Sequence, residues 1–274
     1  MALLVGFGAV VPALAEDAPP ASATLVNYLV GVLEKREQPP QAPRLGVPFT
    51  MPPAFDNNDA ERQLRSLGGR AASGAPRVAA LYATTERNLY ELAWTLWSIA
   101  PPPAPGDLQA LTKAYAGATG ADRYVLLARV GQLRAASSLT TLTASAHASD
   151  VHERLLAAVA LGFCQGNDDS VALLLAGLLK DDVKAVRLAG VNGLRLLGPR
   201  GTRATPALLD YLRTRDNVYA ATTALANASA QDLRPAQADL EAIINDPKLT
   251  DYQKQPVVAL LIRIEQAASA KSAP

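Results

Sequence analysis

The chain has 274 residues, of which 49% are hydrophobic, 5% aromatic and 19% charged, with a formal net charge of +1. That balance excludes a disordered chain and gives the molecule as a whole no electrostatic bias toward nucleic acid or membranes. The single cysteine, Cys164, excludes an intramolecular disulfide and, beside the apolar stretch 155–163, reads as a small core residue.

At the N-terminus, the apolar run Leu3–Val11 is followed by Pro12, Ala13-Leu14-Ala15 and the polar Glu16-Asp17. This is the order of a signal-peptide core and an Ala-x-Ala cleavage triplet, so residues 1–15 are expected to direct export, in a bacterium to the periplasm. The run is too short to span a bilayer, and no cysteine follows it to carry a lipid, so no transmembrane anchor is expected. Residues 16–75 form a proline-rich arm with short helices, because proline density of this order interrupts continuous helix. One helix is expected over Thr24–Glu37, where Leu25, Tyr28, Leu29, Val32 and Leu33 share a face that caps the repeats or meets a partner. A second covers Asp59–Leu67. Asp56-Asn57-Asn58-Asp59 resembles part of a calcium loop but lacks the glycine and distal glutamate, so a helix-capping turn is the better reading.

From residue 76 to 265 a unit of roughly constant length recurs. Aligned on the leucine that closes each second helix, the copies fall at Leu96, Leu133, Leu161, Leu194, Leu225 and Leu260, at intervals of 37, 28, 33, 31 and 35. Upstream of each closing helix from the second unit on lies an apolar run long enough for a partner helix: 108–115, 139–146, 171–179, 207–212 and 240–244. No alternating strand pattern competes. The expected fold is therefore all-α, an α-solenoid of about six helical hairpins, each too small to bury its apolar face alone. Asp150, Asp168, Asp181 and Asp216 stand just ahead of helical runs and are expected to cap them. Gly190 and Gly193 lie inside a helix, where small residues serve packing. Residues 266–274 are expected to be a disordered tail.

Asp181, Val186, Arg187, Ala189, Leu194, Leu197 and Gly198 together resemble the signature of HEAT repeats, particularly the short HEAT-like type. The preceding unit keeps Arg154 at the Arg187 position, whereas the next has Val218 there. The resemblance implies an Asp–Arg ladder between repeats and a concave side lined by the closing helices.

Chemistry-bearing motifs are scarce. His147 and His152 stand five apart, off a common helical face, and no phosphate loop or Gly-x-Ser-x-Gly elbow is present. No catalytic residue, metal ligand or cofactor is assigned, and a non-enzymatic role is expected. Tyr90, Trp94 and Trp97 occupy one face of a closing helix at i, i+4 and i+7, and later units place Arg134, Asn192, Arg195 and Tyr219 at matching positions. These seven residues are candidates for binding a protein or peptide partner, since aromatics and arginine dominate binding hot spots; the competing reading packs both tryptophans against the N-terminal arm or the first helices. The alternative function is anion or nucleic-acid binding through the basic segment 180–215, using Arg187, Arg195, Arg200 and Arg203. Export disfavours nucleic acid as the partner.

Overall fold

The computed structural model describes residues 19–37, 57–104, 106–166 and 168–272, and every regular element among them is an α-helix or a short 3-10 turn. The expected signal peptide and the proline-rich stretch 38–56 lie outside the described residues. The chain divides into two compact units, Met1–Gln132 and Leu133–Pro274.

The first unit contains α1 (Ala23–Glu37), α2 (Asn57–Leu67), α3 (Ala75–Thr84), α4 (Leu89–Ile99), α5 (Leu108–Gly117) and α6 (Gly120–Gln132). Adjacent helices pair as α1 with α2, α3 with α4 and α5 with α6, and the second helices pack α2 on α4 and α4 on α6. The helix expected in the arm therefore forms a hairpin of its own. Its buried face differs from the expected one: Val26, Leu29, Val30 and Leu33 are buried, while Leu25 and Tyr28 are exposed. The 3-10 turn Gly68–Gly74 explains the rotation, because Gly74 comes so near Val26 and Val30 that a Cβ there would lie 2.9 and 3.0 Å from their methyls. Arg77 then joins α3 to α1 through a two-pronged contact with Glu34 at 2.9 and 2.6 Å.

The second unit contains α7 (Leu139–Ala146), α8 (Val151–Gly162), α9 (Asp168–Leu178), α10 (Lys184–Leu197), α11 (Thr205–Thr214), α12 (Val218–Ala224), α13 (Ala230–Leu233), α14 (Gln237–Ile244) and α15 (Asp251–Ser272). The hairpins are α7–α8, α9–α10, α11–α12 and α14–α15, and the second helices pack in series, α8 on α10, α10 on α12 and α12 on α15. The α8–α10 contact is the tightest. A Cβ on Gly162 would lie 2.8 Å from the Gly193 Cα, and one on Gly193 would lie 2.8 Å from Leu175 Cδ2. The expected packing role of Gly190 and Gly193 is what the geometry displays, with Gly190 set against the Leu175 carbonyl. α15 continues to Ser272, because the Ala-rich run after Ile264 contains no helix breaker.

Two of the four aspartates expected to cap helices accept a backbone N–H at a helix start: Asp150 Oδ1 from His152 at α8 and Asp181 Oδ1 from Val183 ahead of α10, each at 2.9 Å. Asp168 opens α9 but pairs with Arg200 at 2.9 Å. Asp181 also takes Arg154 Nε at 2.7 Å and Nη2 at 3.1 Å, and Asp216 takes Arg187 Nε at 2.6 Å, leaving Asn217 to cap α12. Both arginines also close the loop of their own hairpin: Arg154 Nη1 donates to the Ala148 and Ser149 carbonyls, and Arg187 Nη1 to those of Asp181 and Asp182. The same contact thus recurs 33 residues apart. Val218 cannot continue it, and Asp239 is instead reached at 2.9 Å by Arg213 from the end of α11.

The closing position of the second expected repeat also shifts. Leu133 lies past the end of α6 and is half-buried, whereas Val130 is fully buried. Val130 stands seven residues after Arg123, as Leu161 does after Arg154 and Leu194 after Arg187, and Arg123 Nη1 bonds the Tyr115 and Ala118 carbonyls at 2.9 and 3.4 Å. With Val130 in place the two uneven intervals become 34 and 31.

Candidate partner-binding surfaces

The seven candidate residues do not form one cluster. In the first unit, α4 starts after Asn88, whose φ of 49° places it in the left-handed region and turns the chain into the helix. Tyr90 and Trp94 follow on one face, half-buried, with ring centroids 6.1 Å apart at 44°. Trp97 shares their helical direction but is only 2% exposed, because all of Thr95–Ala100 is enclosed and Gln132 Nε2, at the end of α6, bonds the Trp97 carbonyl at 2.6 Å. Depth along the helix, not angle around it, separates core from surface. Trp97 is thereby a core residue, out of reach of a partner.

Arg65, on α2, completes this cluster. Its guanidinium lies 4.5 Å from the Trp94 ring centroid, and Nη1 bonds Glu91 at 2.7 Å and Thr95 at 3.3 Å. Stacking of this type contributes about 0.5–2 kcal/mol and holds the indole in one rotamer. Nothing in the sequence pattern singled out Arg65, since no repeat position marks it.

In the second unit, Asn192 and Arg195 on α10 meet Tyr219 at the start of α12. Asn192 Nδ2 donates to the Leu188 carbonyl at 3.1 Å, and Arg195 Nε lies 3.4 Å from Asn192 Oδ1. The Tyr219 ring stacks on Tyr252 of α15, centroids 4.8 Å apart and planes at 15°. The Tyr252 hydroxyl and partial burial raise the Tyr219 pKa, against the opposing charge of Arg195. No sequence pattern singled out Tyr252, although it stands 33 residues after Tyr219, the spacing that also separates Arg187 from Arg154. Arg134 works elsewhere: with φ at 50° it ends a turn, its carbonyl accepts the Gln165 N–H at 2.8 Å and its guanidinium lies 5.7 Å from the Phe163 ring. Burial pulls its pKa below the usual arginine value.

The residues screened for chemistry are occupied structurally. His147 Nδ1 lies 3.0 Å from the Thr143 carbonyl, and His152 Nδ1 lies 3.3 Å from Asp150. Cys164 is 1% exposed, and burial pushes its thiol pKa up, opposing the thiolate a nucleophile requires. Among the described residues no group of three or more His, Cys, Asp or Glu side chains is arranged to hold a metal, and no helix is long and apolar enough to cross a membrane. Of the four arginines in the anion-binding alternative, Arg187 is tied to Asp216 and Arg200 to Asp168 at 2.9 Å, which leaves Arg195 and Arg203. Compared with known proteins, the chain matches no family model and no curated protein.

Proposed function

We propose that this chain is a non-catalytic HEAT-like solenoid, exported after cleavage behind Ala15, that docks a protein or peptide partner on the face formed by its second helices. The observation that carries this reading is the gathering of Asn192, Arg195, Tyr219 and Tyr252 from three successively packed second helices onto one accessible patch. Tyr90, Trp94 and Arg65 form a patch of similar chemistry in the first unit. Rigid aromatics and arginine dominate hot spots, since they bring large contact area with little rotamer entropy to lose. The HEAT likeness is supported by the Arg154–Asp181 and Arg187–Asp216 contacts, which repeat one unit apart with the same backbone partners.

A displayed peptide library selected on the immobilised full chain tests the proposal. Binders are then titrated against Trp94→Ala and the Tyr219→Ala, Tyr252→Ala double variant. Loss of a hot-spot aromatic costs about 2 kcal/mol or more, so one of the two variants should bind at least about thirtyfold more weakly with helicity intact. Recovery of no binder, or equal binding by both variants, defeats the reading. N-terminal sequencing of the mature protein tests export separately: a start at Glu16 is expected, and a retained Met1 in the cytoplasmic fraction contradicts it.

A further inference from the structure

Within the second unit several arginines pair with aspartates: Arg154 with Asp181, Arg187 with Asp216, Arg200 with Asp168 and Arg213 with both Asp210 and Asp239. Arg195 is not one of them. It is half-buried, yet among the described residues no carboxylate lies within ion-pair distance, and its one hydrogen-bond acceptor is the uncharged Asn192 Oδ1 at 3.4 Å. Asn192 is itself anchored to the Leu188 carbonyl, so it orients the guanidinium through Nε while the two Nη groups stay available.

The neighbouring groups add donors. The Tyr219 and Tyr252 rings stack with centroids 4.8 Å apart, and each phenol carries an O–H able to donate. Thr223 contributes no acceptor of charge, because its hydroxyl is turned onto the Tyr219 and Ala220 carbonyls. Asp216, the nearest acid in sequence to Tyr219, is committed to Arg187. A half-buried cation whose acceptor is an uncharged amide is incompletely compensated within the fold, and an incoming anion removes that deficit.

We propose that Arg195, positioned by Asn192 and flanked by the stacked Tyr219–Tyr252 pair, anchors a carboxylate side chain of the partner, so that the docked segment is an acidic peptide. This rests on the docking reading above and names its chemistry. A single guanidinium fork with one phenol matches the planar, singly charged carboxylate in bidentate fashion, while the stacked rings offer apolar area to the residue beside it. A phosphate group presents the same kind of oxygens, and the test separates the two sources.

Peptides selected on the full chain are measured against wild type, Arg195→Ala, Arg195→Lys and Arg203→Ala, each with its acidic residue intact or changed to the amide. The expected result is a consensus Asp or Glu, a roughly ten- to hundredfold loss from either Arg195→Ala or the amide peptide, and little further loss when the two are combined. Arg195→Lys should fall between, since the fork is lost but the charge kept, and Arg203→Ala should bind like wild type. Helicity and melting of every variant are followed in parallel. Selected peptides that are neutral, or that bind Arg195→Ala within twofold of wild type, overturn this assignment while leaving the docking reading standing. Displacement by millimolar inorganic phosphate together with unchanged binding of the amide peptide also overturns it, in favour of a phosphate. Recovery of no peptide overturns both.

Discussion

Gly162→Ala and Gly177→Ala, the same chemical change on neighbouring helices, are predicted to move stability in opposite directions. Gly162 lies on α8 where α10 crosses it, and an added methyl would sit 2.8 Å from the Gly193 Cα and 3.3 Å from Leu196 Cδ1. The first of these atoms is backbone, so the helices must separate. Overpacking of this kind costs about 1–3 kcal/mol. Alanine recovers about 1 kcal/mol of helix propensity over glycine, and the net loss is up to about 2 kcal/mol. At Gly177, on the open side of α9, no atom lies within 4 Å, so only the propensity gain of about 0.5–1 kcal/mol remains. Thermal and urea unfolding followed by circular dichroism at the helical band reads both. For a chain of this size 1 kcal/mol corresponds to about 2–4 °C in Tm, so the two variants should be separated by about 1–12 °C, with Gly162→Ala the lower. A Gly162→Ala variant as stable as Gly177→Ala would refute the close crossing of α8 and α10.

Other consequences are equally specific. Arg187→Ala removes a part-buried contact with Asp216 and two carbonyl hydrogen bonds, and should cost about 2–4 kcal/mol; Arg213→Ala, whose side chain and those of its partners Asp210 and Asp239 are 40% or more exposed and screened by solvent, should lose clearly less. Equal losses in urea unfolding would contradict this ranking. Burial pushes Asp181 upward, but the hydrogen bonds from Arg154 and the Val183 N–H outweigh it and hold its carboxyl below the usual value. Its contribution is therefore complete above the unfolded carboxylate pKa of about 3.9 and disappears as pH falls through the lower folded value; Asp181→Asn should flatten this acid limb, and an unchanged profile would show the contact to be inert. The Tyr211 hydroxyl is buried without a protein hydrogen-bond partner among the described residues, and burial pushes its pKa up to about 12. Tyr211→Phe is accordingly expected to be neutral or to stabilise by up to about 1 kcal/mol, and a loss above 1 kcal/mol would reveal a partner for the hydroxyl.

The helical class was legible because apolar spacing of three and four residues between turn residues admits no strand, and α7 coincides with its expected limits, 139–146. Residue pattern alone could not tell which of two neighbouring apolar residues turns inward. On α1 both Leu25 and Val26 suit a buried face, and only the approach of Gly74 decides for Val26. Asp216 was misread for a related reason: an aspartate ahead of a helix looks the same whether it meets its own backbone or an arginine 29 residues earlier. At the candidate surfaces, periodicity brought Tyr90 to Trp94 and Arg195 to Tyr219, but it carries no information on depth, and so could not separate Trp97 from Trp94. Arg65 reaches Trp94 across a helix pair, a relation outside the repeat register.

Three residues of nearly equal accessibility report which surface meets the partner: Tyr252 at 56%, Leu173 at 55% and Tyr28 at 55% exposed. Radical footprinting of the full chain, with and without a saturating selected peptide, measures protection at each. Protection of Tyr252 together with Tyr219, with Leu173 and Tyr28 labelled as before, is the predicted outcome. Protection of Leu173 or Tyr28 while Tyr219 and Tyr252 stay fully labelled would place the partner elsewhere and contradict the proposed face.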